Sequence, residues 1–291
     1  MQKINLGFLI YTYNRVDDAR INMEIIKNIW QKSKLFSSIK IVHSYNGKKE
    51  WYAKKYLEDV LIRLKNPGHY QGAAELIDIG IKKFIESYKY VDYVIVVSSD
   101  TWCVKPQYVY SVLEKIKKND LYLATCAWGL PNRNNIADVG MAIDFFIINL
   151  AWAKKYKMFP INYGSFYKKY SDLLLYQWGG NVLLEKLILA RYLKASHNQN
   201  KKDVVLKYWA FSKMFILKDR EPVHSHINKD GFWIRKMYWP KMGLLTHHDP
   251  EQKKILLQKL NINQGKYIKK LISSNNLNYY NKGIKIFKSY Q

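Results

Sequence analysis

The chain has 291 residues, and its 48 Lys and Arg outnumber its 23 Asp and Glu, which gives a formal net charge of +25. Because 48% of the residues are hydrophobic, the chain can build a large core, which excludes a disordered protein. Two cysteines, Cys103 and Cys126, are too few for a disulfide scaffold and suit a reducing compartment. No apolar stretch is long enough to span a bilayer and the first residues lack a signal-peptide cleavage site, so we expect a cytoplasmic protein.

Apolar strands alternate with amphipathic helices in the first half of the sequence. The predicted strands are Leu6–Tyr11, 38–43, 61–64 and Val91–Val97. Helices are predicted after the first strand, at the start of the segment 51–64, over 72–88 and from Pro106 onward. This alternation is typical of an α/β fold with a mainly parallel sheet flanked by helices. The apolar segments 121–128 and 141–148 are candidate strands of the same sheet.

Polar residues follow three of these strands where each one ends. They are Thr12–Arg15, Asn46–Gly47 and Ser98–Asp100. Ligands of parallel sheets bind at the carboxyl ends of the strands, so we expect the three segments to converge on one site. Asp100 is the most informative residue, since a carboxylate at this edge can hold a cation that neutralises a diphosphate. The alternative is that Asp100 is a turn or helix-capping residue.

The order of three motifs resembles the nucleotide-sugar glycosyltransferases of the GT-A fold, and is most similar to the family 2-like bacterial enzymes. The motifs are the strand that ends in Thr12–Arg15, the segment Asn66-Pro67-Gly68 followed by Gly72 and a helix, and the strand that ends in Ser98–Asp100. The resemblance covers about residues 4–120. It implies a GT-A-like, Rossmann-like sheet with a helical C-terminal extension.

The resemblance also implies which residues bind the nucleoside-diphosphate sugar. They are Thr12, Tyr13, Asn14, Arg15, Asn46, Asn66, Gly72, Ser98, Ser99 and Asp100. Ser98 stands where the family has the first Asp of its Asp-x-Asp motif, and Asp100 matches the second. No acidic residue is evident near Asn46, where the family has one after the second strand, so the base stays open between uracil, guanine and cytosine. Arg15 is also a candidate partner of the diphosphate.

A divalent cation, Mn²⁺ or Mg²⁺, is the cofactor that the resemblance implies, with Asp100 as its first ligand. His226 and His224 are candidate further ligands, because alternate residues of an extended segment share a face and imidazole binds such ions. The His247-His248 pair competes for this role. The alternative is that all of these are ordinary loop histidines.

Two acidic residues are candidate catalytic bases for an inverting transfer. Asp144 lies within an apolar predicted strand, where a carboxylate needs a partner or a task. Glu185 has roughly the position of the helix-borne base of family 2 enzymes. The alternative for Asp144 is a salt-bridged carboxylate of the sheet, and a retaining mechanism would need neither residue as a base.

We expect three segments along the chain. Residues 1–128 form the nucleotide-sugar-binding half, 129–250 the acceptor-binding half, and 251–291 a basic C-terminal segment, with nine Lys and no acidic residue from 252 onward. The expected acceptor is a hydroxyl of a glycan or lipid-linked molecule in surface-polysaccharide or glycoconjugate synthesis. The basic segment suits peripheral contact with an anionic membrane face, or packing on the enzyme with a solvated basic side.

Two other functions compete with glycosyl transfer. A sugar-phosphate nucleotidyltransferase would share much of the sheet, but it would be expected to carry a Gly-rich basic loop after the first strand, and Thr12–Arg15 lacks that glycine. A nucleic-acid-binding protein would suit the charge of +25. However, no recognised RNA- or DNA-binding motif is present, so nucleic acid is not the expected partner.

Overall fold

The computed structural model describes residues 3–118, 122–128, 140–165, 214–216, 226–227, 233–234, 244–245 and 250–260. Its strands are β1 (Ile4–Thr12), β2 (Phe36–Tyr45), β3 (Val60–Arg63), β4 (Tyr93–Ser98), β5 (Trp102–Cys103), β6 (Leu123–Trp128), β7 (Gly140–Asn149), β8 (Met214–Ile216), β9 (His226–Ile227), β10 (Trp233–Ile234) and β11 (Leu244–Leu245). Its α-helices are α1 (Val16–Ile25), α2 (His69–Ser87), α3 (Pro106–Lys118), α4 (Leu150–Lys155) and α5 (Pro250–Leu260).

Seven strands form one sheet in the order β3-β2-β1-β4-β7-β6-β8. Four of the six pairings are parallel, and the antiparallel strand β7 lies between β4 and β6. The predicted α/β fold with a mainly parallel sheet flanked by helices is therefore confirmed. Two further pairs, β9 with β10 and β5 with β11, are short and antiparallel.

Helices cover both faces of the sheet. Successive side chains of β1 point to opposite faces, so each face carries apolar residues that pack against helices. Leu6, Phe8 and Ile10 pack with α1, α3 and Leu257 of α5 on one face. Leu9 and Tyr11 pack with α2 and α4 on the other. Burying one such aliphatic or aromatic side chain contributes about 1.5–3 kcal/mol, so the two cores fix the sheet and leave its ends to carry polar residues.

Most elements predicted in the first half are present, with ends shifted by a few residues. The segments predicted to join the sheet, 121–128 and 141–148, are confirmed as β6 and β7. The prediction of a helix at the start of 51–64 is wrong, because this part of the chain has only a short 3-10 helix, Lys49–Tyr52. Arg63 holds this segment in a loop by donating to the carbonyl oxygens of Tyr52 and Ala53.

The domain limits at 128 and 250 stay predictions. Strands from both sides of residue 128 join the same sheet, and helix α5 is the described part of the predicted C-terminal segment. Residues 261–291, with most of the predicted basic surface, lie outside the described part of the chain. Within the described residues, no helix combines the length and the apolar character needed to cross a membrane.

Candidate functional site

The ends of β1, β2 and β4 bring the three predicted polar segments to one edge of the sheet. Thr12 lies opposite Tyr45 of β2, and Tyr11 lies opposite Ser98 of β4. Beyond the strands, the amide of Asn46 donates to the Thr12 carbonyl at 3.2 Å, and the amide of Ser99 donates to the Tyr11 carbonyl at 3.1 Å. The predicted convergence of these segments is therefore observed in the backbone.

Asp100 lies in a tight turn that directly follows β4. The Ser98 hydroxyl donates to Asp100 Oδ1 at 2.8 Å and lies 2.7 Å from the Thr101 hydroxyl, while the Thr101 amide donates to the Ser98 carbonyl at 3.1 Å. Ser98, Ser99 and Asp100 are all buried. Ser98 thus orients the Asp100 carboxylate by donating a hydrogen bond to it. An ionised Asp at position 98 would have no proton to donate and would repel Asp100.

Arg15 connects the end of β1 to this turn. Its Nε lies 3.2 Å from Asp100 Oδ2, and its Nη1 lies 3.7 Å from Asp18 Oδ2 in helix α1. The Arg15 side chain keeps 27% of its surface exposed, whereas both carboxylates are largely buried. Arg15 is therefore the more solvent-accessible member of both ion pairs, and its guanidinium is held by two carboxyl groups.

Lys253 reaches the same cluster from helix α5, and sequence reasoning did not single it out as a site residue. Its ammonium lies 3.3 Å from Asp18 Oδ1, donates to the Asp100 carbonyl oxygen and lies 4.0 Å from the centre of the Trp102 ring. The Lys253 side chain is fully buried. A buried ammonium is costly unless it is paired and hydrogen-bonded, and these three contacts meet that requirement.

The four charged groups of this cluster balance one another. Arg15 and Lys253 supply two positive charges, and Asp18 and Asp100 supply two negative charges at separations of 3.2–3.7 Å. Burial raises the pKa of the Asp18 carboxyl; Lys253 opposes that rise, the charge of Asp100 adds to it, and Arg15 opposes it. Burial is thus the largest of these effects, and the two cations oppose it.

Neutral polar side chains occupy the neighbouring part of the edge, beside β2 and α2. A Cβ atom on Gly72 would lie 2.6 Å from Asn46 Nδ2 and 2.7 Å from Asn66 Oδ1, so only glycine lets both amides approach this helix turn. Asn46 is 5% exposed, and its Oδ1 has no hydrogen-bond partner among the described residues. An unsatisfied buried amide oxygen beside the site is an acceptor that a ligand N–H or O–H would satisfy.

Two exposed aromatic rings flank the same position. Tyr13 is 41% exposed and Trp51 is 40% exposed, and their ring centroids lie 6.3 Å apart in an edge-to-face arrangement. The ammonium of Lys48 lies 5.2 Å from the centre of the Trp51 ring. Trp51 was not predicted as a site residue, because the segment that contains it was expected to be helical.

Thr12 lies at the site but its side chain is buried beneath it. The Thr12 hydroxyl lies 3.0 Å from Nε2 of His43, and both residues are almost fully buried. Burial, with smaller effects from Arg63 and Arg20, lowers the pKa of His43 to about 3, so the imidazole is neutral. Thr12 therefore supports the strand end from below, whereas Tyr13, Asn14 and Arg15 lie nearer the surface.

Of the two candidate bases, Asp144 lies at this edge of the sheet. It precedes Phe145, which pairs with Val97 near the end of β4, and it is half-buried. Glu185 and His224 lie outside the described residues. His226 is in β9, where the backbone alone is described and pairs with β10. The structure thus places Asp144 at the same edge of the sheet as the site. The catalytic roles of Asp144 and Glu185 and the metal-binding roles of His224 and His226 stay predictions.

The described side chains around Asp100 do not fit a divalent-cation site. Asp100 Oδ1 accepts from Ser98 and Oδ2 faces Arg15, so an ion on this carboxylate would meet a guanidinium already in place. Within the described ranges, no group of three His, Cys, Asp or Glu side chains is arranged to hold a metal ion. The metal role of Asp100 stays a prediction, and the contacts favour Arg15 as its counter-ion.

Comparison with known proteins gives matches among solved structures alone, since no protein-family model and no curated protein sequence matches the chain. A mannosyltransferase from Pyrobaculum calidifontis, in complex with GDP-Man and Mn2+, is similar over 53% of this chain and 47% of its own, at 8% identity and a TM-score of 0.37. The catalytic domain of Drosophila beta1,4galactosyltransferase 7, in complex with xylobiose, is similar over 53% of this chain and 52% of its own, at 12% identity and a TM-score of 0.31. The chain thus spans about half of the length of these structures.

Proposed function

We propose that the protein is a GT-A-like glycosyltransferase that transfers a sugar from a nucleoside-diphosphate sugar to an acceptor hydroxyl. The observation that carries the proposal is the meeting of Thr12–Arg15, Asn46 and Ser98–Asp100 at the carboxyl ends of β1, β2 and β4. The same segments carry the sequence resemblance to this class of enzyme. Backbone geometry and motif order therefore point to one edge of the sheet.

The nucleoside would occupy the neutral part of this edge. Tyr13 and Trp51 offer ring faces for the base, and aromatic faces stack on such planar groups. The Asn46 amide oxygen is a buried acceptor for a base or ribose donor. Gly72 keeps the Asn46 and Asn66 amides close to the start of α2.

The diphosphate would face the charged part of the edge, where the partly exposed Arg15 side chain lies beside Asp100. Guanidinium groups bind phosphate oxygens with paired, charge-assisted hydrogen bonds. As the bond between the anomeric carbon and the diphosphate oxygen breaks, negative charge grows on that oxygen. Arg15 would stabilise this charge in the transition state.

The acceptor would bind on the far side of β4 from β1, where β7 carries Asp144. In an inverting transfer the acceptor oxygen bonds to the anomeric carbon, its proton passes to a carboxylate, and the nucleoside diphosphate leaves. Asp144 is proposed as that carboxylate. The proposed acceptor is a glycan or a lipid-linked molecule. The basic segment 251–291 is proposed to contact an anionic membrane.

The test is a thermal-shift panel of UDP, GDP and CDP on the full chain, with Asn46→Ala as the site variant and Asn28→Ala as the matched control. Asn28 is exposed on the π-helical turn that continues α1, and its side chain is hydrogen-bonded to Glu24 and Lys32. A ligand at about 100 times its Kd adds about 2.7 kcal/mol to the free energy of unfolding, which raises Tm by several degrees. We expect one nucleotide to stabilise the wild type and Asn28→Ala, and to stabilise Asn46→Ala less. No shift with any nucleotide, with or without Mn²⁺, would contradict the proposed function.

A further inference from the structure

We infer that Arg15 binds a nucleoside diphosphate at this site without a divalent cation, and that Lys253 makes this possible by pairing with Asp18. The inference rests on the proposed function and specifies how that site recognises its diphosphate. It departs from the cation expected from the sequence resemblance, and it assigns a role to Lys253, which lies 153 residues from Asp100 along the chain.

The first step of the argument is that the acidic residues of the site already have partners. Asp100 faces Arg15 Nε at 3.2 Å, and Asp18 faces Arg15 Nη1 at 3.7 Å and Lys253 Nζ at 3.3 Å. A divalent ion bound to Asp100 would add two positive charges next to the Arg15 guanidinium. Like charges repel strongly at such separations in a largely buried site, so the ion would have to displace Arg15.

The second step concerns the surroundings of the Lys253 ammonium. A carboxylate of Asp18, the carbonyl oxygen of Asp100 and the face of the Trp102 ring surround it. Oxygen ligands and an aromatic face are groups that bind a cation, and here the cation belongs to the chain itself. Because Lys253 is fully buried, it acts from below the surface by balancing Asp18 and fixing the Asp100 turn.

The third step is that Lys253 leaves Arg15 free to act on a ligand. If Lys253 were absent, Arg15 would be the one cation shared by Asp18 and Asp100 in this cluster. With Lys253 present, Asp18 has a closer cation at 3.3 Å, and Arg15, whose side chain is 27% exposed, can pair with phosphate oxygens. Arg15 therefore contacts the diphosphate, and Lys253 is a positioning residue that sets the local charge.

The decisive experiment is calorimetric titration of the full chain with UDP, GDP and CDP, in EDTA and in Mn²⁺. We expect the nucleotide that binds to have affinities within about threefold in the two buffers. Binding that requires Mn²⁺ would overturn the inference and leave the proposed function standing. Binding in neither buffer would overturn both.

Variants at Arg15 identify the residue that contacts the diphosphate. Arg15→Gln should lower the affinity at least tenfold in both buffers, and Arg15→Lys should lower it less, because an ammonium keeps the charge but not the paired donors. Arg20→Gln is the matched control, since Arg20 pairs with Asp17 on the same helix and should bind as the wild type does. Unchanged affinity in Arg15→Gln would overturn the inference.

Variants at Lys253 test the charge argument with a readout that a purely structural role would not move. In EDTA, Lys253→Met should bind the nucleotide at least tenfold more weakly, and Mn²⁺ should recover most of that loss because the cluster then lacks one positive charge. Lys254→Met is the control and should show neither effect. Equal affinity of Lys253→Met and wild type in EDTA would contradict the role of Lys253. If Lys253→Met does not fold, the wild-type comparison in EDTA and Mn²⁺ still decides.

Discussion

The charged and neutral parts of the candidate site are built in opposite ways. Around Asp100, ionised side chains are buried and paired with one another. Around Asn46, uncharged groups lie beside exposed rings, and an amide oxygen has no partner among the described residues. Paired buried charges hold a structure in place, whereas an unsatisfied acceptor contributes nothing until a ligand arrives. The comparison indicates that substitutions of the buried charged residues will change stability, and that substitutions in the neutral part will change binding with little effect on stability.

The largest effect is expected from Lys253→Met on stability. Lys253→Met removes the closer of the two cations beside the buried Asp18, and breaking a buried ion pair costs about 3–5 kcal/mol. Urea unfolding followed by circular dichroism measures this loss. Lys254→Met should stay within about 0.5 kcal/mol of the wild type. The double variant Asp18→Asn with Lys253→Met should recover much of the loss, because no unpaired charge is then buried, and an equal loss in the double variant would contradict this explanation.

Asn46→Ala should show the reverse pattern. Its Oδ1 makes no hydrogen bond within the described residues, so we expect the free energy of unfolding to change by at most about 1 kcal/mol. Nucleotide affinity should fall about tenfold or more, because a ligand donor loses its acceptor. Titration calorimetry and urea unfolding on the same protein measure both quantities. A large loss of stability with unchanged affinity would remove the distinction between the two parts.

The His43 imidazole beneath Thr12 predicts a pH dependence of stability. Its folded pKa of about 3 lies below the unfolded value near 6.5, so below pH 6.5 the unfolded chain takes up a proton that the folded chain does not. The contribution of His43 is therefore present above pH 6.5 and is lost as pH falls toward 3.

Urea unfolding at pH 7.5 and 5.5 measures this contribution. The wild type should lose about 1.4 kcal/mol more than His43→Gln over this interval, because glutamine does not titrate. An equal loss in the two proteins would show that His43 takes up its proton over the same pH range in the folded and unfolded chains. Both proteins carry the same other titrating groups, of which the buried Glu58 carboxylate, 4.0 Å from His43 Nδ1, lies beside the substituted residue.

The smallest effect is expected from Trp51. Trp51→Ala should weaken nucleotide binding by about 1 kcal/mol, roughly fivefold, because one stacking face is lost. Tm should be unchanged, since the ring is 40% exposed. Trp51→Phe keeps an aromatic face and should bind nearly as the wild type does. A fall in Tm without a change in affinity would place Trp51 in the structure rather than in the nucleoside pocket.

Much of the fold could be predicted from the sequence because its signals are local. Apolar runs such as 91–97 and the helical spacing of 72–88 report burial directly, and the rule for parallel sheets then brings Thr12, Asn46 and Ser98 to one edge. Asn46 could be named by the same rule, whereas Gly72 could be named only from the resemblance in motif order. The close approach of the Asn46 side chain to residue 72 requires a glycine there, because a Cβ atom would lie 2.6 Å from Asn46 Nδ2.

Lys253 could not be predicted from the same kinds of signal. It lies in a Lys-rich amphipathic segment, where a lysine is expected to face solvent, and its partners Asp18 and Asp100 are far away along the chain. Trp51 was missed because the periodicity of its segment favoured a helix, whereas hydrogen bonds from Arg63 hold the segment as a loop. Both residues depend on long-range contacts that spacing does not report.

The most direct test of the account is titration calorimetry of the full chain with nucleoside diphosphates, comparing the wild type, Asn46→Ala, Arg15→Gln and the control Asn28→Ala. The account predicts that one nucleotide binds the wild type and Asn28→Ala equally, and binds each of the two site variants at least about tenfold more weakly. Failure of every nucleotide to bind the wild type, or equal binding by all four proteins, would contradict a nucleotide site at the carboxyl ends of β1, β2 and β4.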